Sequence, residues 1–165
     1  VHIPEVVPAS SLAHRVVTQL ATSPLGIWVM RNIAPRLDPA LLRCSGGRLS
    51  MVTPFPALLL THTGAKSGIR RTSTVVYFTD RGRVIVIASN FGATRHPAWY
   101  HNVKAHPEVT IEAGRFSGRF IAEDVTGTER DRLFGLAGGA TSPYGTYQDT
   151  AGSRLIPVLA FTPAS

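Results

Sequence analysis

One cysteine, Cys44, stands in a chain of 165 residues. That excludes an intrachain disulfide and any cysteine-rich zinc site, and it fits a reducing compartment. No apolar run approaches the roughly 20 residues that a membrane-spanning helix needs, and the first residues lack a basic stretch followed by an apolar signal segment. No block of five like charges occurs, so a disordered basic tail of the nucleic-acid-binding kind is excluded. There is no internal repeat and no low-complexity tract. These absences predict one soluble, cytoplasmic domain over residues 1–165, large enough to bury a core without staples. Val1 stands where an initiator Met is expected, so an upstream start with a targeting segment stays open.

Acidic residues are also scarce. Ten Asp and Glu face 17 Lys and Arg, a formal charge of +7, and such a balance suits an anionic partner: nucleic acid, an anionic membrane surface, or a cofactor bearing phosphate or carboxylate. Many of the cations fall among strands and turns of the central region.

Periodicity predicts a helical N-terminal segment over 1–34, a connecting loop rich in Pro and Gly over 35–56, and a strand-rich body over 57–165. Within the first segment, Ser10 or Ser11 caps a helix ending near Ser23-Pro24, and a second helix carries Ile27, Trp28 and Met30 to a stop before Pro35. Strands are expected at about 57–63, 71–79, 83–89, 108–113, 116–125 and 155–162. Asp80-Arg81-Gly82 and Ala113-Gly114-Arg115 are natural hairpin turns. Helices interrupt at about 97–105 and 127–137. Short strands joined by hairpins favour an α+β fold built on an antiparallel barrel over a parallel doubly wound sheet.

Two segments carry chemistry. In Leu58-Leu59-Leu60-Thr61-His62-Thr63-Gly64-Ala65-Lys66-Ser67-Gly68-Ile69-Arg70-Arg71, an apolar strand meets a Gly-bounded turn offering backbone amides and a lysine, then two arginines. Amides of a tight turn form a concave anion nest, with Lys as a point charge and Arg as a planar fork. A solvated hairpin with ordinary surface cations has the same spacing. A P-loop is excluded, because its first glycine is missing and Lys66 precedes a strand. In the second segment, Ala88-Ser89-Asn90-Phe91-Gly92-Ala93-Thr94-Arg95-His96-Pro97-Ala98-Trp99-Tyr100-His101-Asn102, small residues at a strand end would let a flat ligand approach the backbone. A helix start beside Arg95 suits an anion. Trp99 by itself reads more readily as a core anchor.

Other chemistries fall away. His96, His101 and His106 follow at five-residue steps, which cannot share a helix face, so no metal is expected. There is no Gly-x-Ser-x-Gly elbow. Cys44 has no evident activating partner and reads as an inert small hydrophobe.

Together with Tyr147-Gln148-Asp149 before the last strand, these segments resemble the deazaflavin-dependent nitroreductase family over roughly residues 57–162. Those proteins are split β-barrel oxidoreductases related to FMN-binding barrels. The resemblance implies a site for the deazaflavin coenzyme F420, with FMN as the alternative flavin. By that analogy Lys66 and Arg71 grip the phosphate and anionic tail, backbone groups around Ala65 and Ser67 complete the cradle, and Arg95 helps. Thr72, Ser73, Thr74, Val75 and Val76 would border the deazaflavin, with Ile87, Ala88, Ser89 and Asn90 near its ring. Ala98, Trp99, Tyr100, His101 and Asn102 would close the pocket. Tyr147 would lie over the ring or substrate, and Tyr144 would line the entrance. Reduced deazaflavin would deliver a hydride to a small electron-poor acceptor such as a quinone, activated enone or nitro-aromatic compound, with Ser89 or Tyr147 hydrogen-bonding the developing oxyanion or relaying a proton. Where the most aromatic family members have Tyr, this chain has Val76 and Thr150, which implies a wider substrate pocket and weakens any inference of nitroimidazole reduction. The competing class is a non-enzymatic basic module on nucleic acid or at a membrane, the latter through Trp28, Arg31 and Arg36 of the N-terminal segment.

Overall fold

The computed structural model describes residues 23–53, 55–138 and 143–164. Two helices, α1 (Pro24–Asn32) and α2 (Ala34–Cys44), precede three strands, β1 (Ala57–Thr63), β2 (Arg70–Asp80) and β3 (Arg83–Ile87). A tight turn at Asn90–Gly92 leads to α3 (Ala98–Ala105) and the hairpin β4 (Glu108–Ala113) and β5 (Phe116–Val125). Helices α4 (Gly127–Leu136) and α5 (Pro143–Thr150) follow, and β6 (Val158–Pro163) ends the described fold. The strands close into a barrel in the order β1-β2-β3-β6-β5-β4, and every neighbouring pair is antiparallel. The α+β barrel expected from the sequence is therefore the fold.

Alternation explains which side chains fill it. Leu58, Leu60, Val75, Tyr77, Val84, Val86, Val109, Ile111, Phe120 and Phe161 form one cluster inside the barrel. Burying each large apolar side chain contributes about 1.5–3 kcal/mol. Strands covered on one face alternate, as β4 does, whereas β1 and β3 contain apolar runs because their outer faces are covered too. Leu59 packs outward against Leu42 and Val52. Ile85 and Ile87 pack outward with Leu133, Tyr147 and Ile156. The two outer coverings come from opposite ends of the chain.

The β2–β3 turn takes Arg81 and Gly82 at φ +51° and +76°, the paired left-handed conformation that a two-residue hairpin needs. Its base is fastened to α4, since Arg83 and Arg132 each contact both Asp80 and Glu129. Hydrogen bonds from Arg132 and then Arg83 pull the Glu129 carboxyl down to about 2.

The structure corrects three local expectations. Residues 35–56 are not all loop, because α2 fills their first part. Pro35, read as a stop, instead occupies the first turn of a new helix, where its missing N–H leaves nothing unpaired. Ala34, Asp38 and Leu42, four residues apart, bury one face of that helix. Cys44 is exposed at its end, not a buried hydrophobe. Helix α5 was not foreseen, since its Gly, Thr and Pro content reads as loop. The helix expected from Ser10 to Ser23 lies outside the described residues, apart from its last position. No helix among the described residues is long and apolar enough to cross a membrane.

Candidate functional site

A cleft of about 480 Å³ opens outside β2 and β3. Ser73, Thr74, Val75, Val76, Ile87, Ser89 and Asn90 line it, as do Ala98 and Trp99 from the start of α3 and Tyr144 and Tyr147 from α5. All eleven belong to the set expected from sequence. The cleft is also bounded by residues not anticipated, including Met30, Arg31, Pro35 and Asp38 of the two N-terminal helices, and Phe91.

Its polar wall is supported at the level of single atoms. The Arg154 guanidinium donates to the carbonyls of Ser89 at 2.6 Å, Ala93 at 2.9 Å and Ala88 at 3.3 Å, and lies 3.2 Å from His96 Nδ1. One side chain thus satisfies three carbonyls of an irregular loop that has no strand partner to do so. Gln148 donates to the Arg154 carbonyl at 2.8 Å and accepts from the Ile156 amide at 2.9 Å. Arg130, buried, donates to the Ile156 carbonyl at 2.7 Å and covers the Phe134 ring at 4.3 Å. Helix α5 and its tyrosines are thereby fixed to the approach of the last strand.

Two hydroxyls on the cleft wall are left over. Among the described residues Thr74 Oγ1 is buried without a hydrogen-bond partner, and the Tyr147 hydroxyl makes no hydrogen bond. Buried polar groups are nearly always paired, so an orphan on a cleft wall points to a ligand atom. Burial pushes the Tyr144 and Tyr147 phenols up, which keeps both protonated.

The Gly64–Gly68 turn lies outside the cleft lining but is joined to it. Ala65 donates its backbone N–H to Asn102 Oδ1 at 2.9 Å, which fixes the orientation of that amide. Asn102 Nδ2 then donates to His62 Nδ1 at 3.1 Å, so His62 carries its proton on Nε2 and donates it to Ser73 Oγ at 3.0 Å. Burial, and then the charge of Arg71, push the His62 pKa down, consistent with this neutral tautomer. His62 is 3% exposed.

Within the turn, the Gly64 and Gly68 amides pair with the Ile69 and Gly64 carbonyls, and the Ile69 amide with Ser67 Oγ. Among the described residues only the Lys66 and Ser67 amides of this turn are unpartnered, so the cradle is narrower than expected: the Ala65 amide is committed to Asn102 and is not available to an anion. A Cβ on Gly64 would lie 2.5 Å from Ser67 Oγ and 3.3 Å from the Ile69 carbonyl oxygen, so a larger residue would make the Ser67 hydroxyl rotate away from the Ile69 amide. Lys66 and Arg71 are exposed and form no ion pair among the described residues.

Several expected residues stand elsewhere. Tyr100 is buried at the barrel end, donating to Asp124 at 2.7 Å, and His101 is exposed against the His96 ring. Arg95 is exposed and contributes its carbonyl to Asn90 Nδ2. Ala88 is in the core, and Thr72 pairs with Thr61 on the outer barrel wall at 3.0 Å. Thr150 does not line the cleft; its hydroxyl bonds back to the carbonyls of Thr146 and Tyr147. Among the described residues no group of three or more His, Cys, Asp or Glu could hold a metal ion.

Sequence reasoning missed His62, Arg130 and Arg154. The signal for His62 was a single imidazole in an otherwise apolar and hydroxyl-bearing strand. For the arginines there was little beyond a long cation beside a closing strand.

Comparison with known proteins adds a common pattern. A family described as F420H(2)-dependent quinone reductase matches residues 35–163. An F420H(2)-dependent quinone reductase of Mycobacterium tuberculosis is 35% identical over 143 residues, covering 82% of this chain and 95% of that protein. Among solved structures, an F420-H2 dependent reductase (FDR-A) shares 38% identity over 64% of this chain and 93% of its own, with a TM-score of 0.58. Another, described as a domain-swapped dimer, shares 34% identity over 84% of this chain and 99% of its own, with a TM-score of 0.59.

Proposed function

The chain belongs to the F420H(2)-dependent quinone reductase family, and from that premise we propose that it is an F420-specific reductase that transfers a hydride to a quinone. Reduced F420, when bound, supplies the hydride from its deazaflavin carbon C5. The protein's own work is to bind, orient and supply hydrogen bonds.

The observation that carries this reading is the connection of two unlike sites. A turn whose Lys66 and Ser67 amides and Lys66 ammonium have no partner among the described residues suits an anionic tail, and the Asn102–His62–Ser73 chain joins it to a cleft wall whose Thr74 and Tyr147 hydroxyls are likewise without one. Thr74 Oγ1 is a hydrogen-bonding point for the polar edge of a flat ring. The apolar Val76 and Ile87 suit its face. Tyr147, buried and held protonated, makes no hydroxyl hydrogen bond among the described residues and can hold a proton at its Oη toward an acceptor oxygen. Ser89, whose carbonyl is pinned by Arg154, presents its side chain on the same wall.

The test is a pair of anaerobic titrations followed by turnover. F420 should quench or shift on binding where FMN does not, and F420H2 should be oxidised by quinones. Tight binding of FMN alone would overturn the proposal. A panel that includes enones and nitro-aromatic compounds assigns the acceptor, and turnover with nitro-aromatics but no quinone would overturn the quinone assignment.

A further inference from the structure

Phe91 occupies a backbone conformation that its side chain does not favour. Asn90, Phe91 and Gly92 have φ of +49°, +52° and +70°, three successive left-handed residues. Gly adopts this region freely and Asn readily, whereas Phe is crowded between its Cβ and the following carbonyl. The surroundings impose it. Arg154 pins the carbonyls of Ser89 and Ala93 on either side, Arg31 donates to the Asn90 carbonyl at 3.1 Å, and Asn90 Nδ2 donates to the Arg95 carbonyl at 2.9 Å.

The result is a ring placed at the cleft. Phe91 lines it and meets Tyr147 edge to face at a centroid distance of 6.1 Å, and Tyr147 meets Tyr144 in the same manner at 6.3 Å. The Arg31 guanidinium stands 5.9 Å from the Phe91 ring centre. Phe91 is half-buried: it packs against the outer apolar cluster that includes Tyr147 and also borders the cleft, at a position whose backbone glycine would fit better. Strain of this kind gathers at functional positions. Three aromatic rings in edge contact form a wall suited to a flat, conjugated guest.

We propose that Phe91 is a specificity-determining residue, forming with Tyr147 the aromatic wall that seats a fused-ring quinone and discriminates against small aliphatic acceptors. This rests on the quinone reductase reading. The contact selects between acceptors through the extra ring that only the larger one presents.

The experiment compares wild type with Phe91→Gly, Phe91→Leu and Phe91→Trp, using F420H2 with 2-methyl-1,4-naphthoquinone and with cyclohexenone. Phe91→Gly, which relieves the backbone but gives up the contacts to Tyr147 and Arg31, should raise KM for the naphthoquinone at least tenfold and that for cyclohexenone less than twofold. Phe91→Leu should lose most of the discrimination, and Phe91→Trp should restore it to within threefold. A fall in melting temperature with KM for the naphthoquinone unchanged makes Phe91 a packing residue and overturns the proposal. Equal losses for both acceptors overturn it as well. Wild-type protein that neither binds F420 nor oxidises F420H2 overturns the underlying functional reading and this proposal with it, whereas active wild type with unaltered Phe91→Gly selectivity overturns the proposal alone.

Discussion

Gly92→Ala tests whether the cleft loop and α5 are in the tight contact that positions Tyr147. A Cβ at this position would lie 2.0 Å from Thr150 Oγ1 and 3.0 Å from both Cα and the carbonyl oxygen of Tyr147. The threonine hydroxyl is the end of a side chain and can rotate away. The Tyr147 backbone cannot, since α5 is held by Gln148 and Arg130. Two penalties therefore combine: about 1–2 kcal/mol for a non-glycine residue at φ +70°, and about 1–3 kcal/mol for overpacking. Their sum is about 2–5 kcal/mol. For a domain of this size each kcal/mol shifts the melting temperature by about 2–4 °C. Gly82→Ala is the control, because Gly82 has φ +76° but no atom within 4 Å of its Cβ position, so it carries the backbone penalty alone. Urea denaturation of both variants gives the packing component by difference. Adding Thr150→Ala to Gly92→Ala should recover part of that difference and leave the part owed to Tyr147. Equal destabilisation by Gly92→Ala and Gly82→Ala, or full rescue by Thr150→Ala, would show that the backbones of the loop and α5 are not in contact.

Three further outcomes are expected. Lys66→Ala should weaken F420 binding by more than about tenfold with the fold intact, since a charge-assisted contact contributes about 1.5–3 kcal/mol; unchanged affinity in a fluorescence titration would remove Lys66 from the site. Tyr147→Phe should lower kcat while leaving F420 affinity in place, and an unaltered rate would reduce the tyrosine to a packing role. For His62, burial and Arg71 depress the folded-state pKa, so as pH falls below about 6.5 the unfolded chain takes up a proton that the native state refuses, and stability declines. His96 is shifted in the same direction, so the diagnostic quantity is the difference between wild type and His62→Gln in the slope of unfolding free energy against pH. The variant should have the shallower slope, and identical slopes would contradict a buried neutral His62.

Strand positions were legible because they depend on local pattern. The alternation in β4 and β5, the Asp80-Arg81-Gly82 turn and the apolar runs of β1 and β3 each report a face and its covering within a few residues. The cleft was legible in the local pattern where a strand end and a helix start wall it, as at Ser89 and Trp99, whereas Thr74, in the middle of β2, was expected only through the family resemblance. It was not legible where the support comes from a distance. His62 meets Asn102 across 40 positions, and Arg154 meets the loop carbonyls across 61 to 66. Such pairings leave no periodic trace. Helix α5 was hidden for a different reason: its stability comes from Tyr147 and Gln148 docking against the barrel, and its residues have poor intrinsic helix propensity. Pro35 misled because the same ring that ends one helix suits the first turn of the next.

The position of Arg154 in the chain also sets an order of assembly. The loop that walls the cleft emerges during synthesis well before the guanidinium that satisfies its carbonyls, and that guanidinium precedes only the final strand. A nascent chain with its first five strands complete still lacks the scaffold of its own binding loop. Binding competence and closure of the barrel therefore depend on one short stretch of chain, from Arg154 to β6.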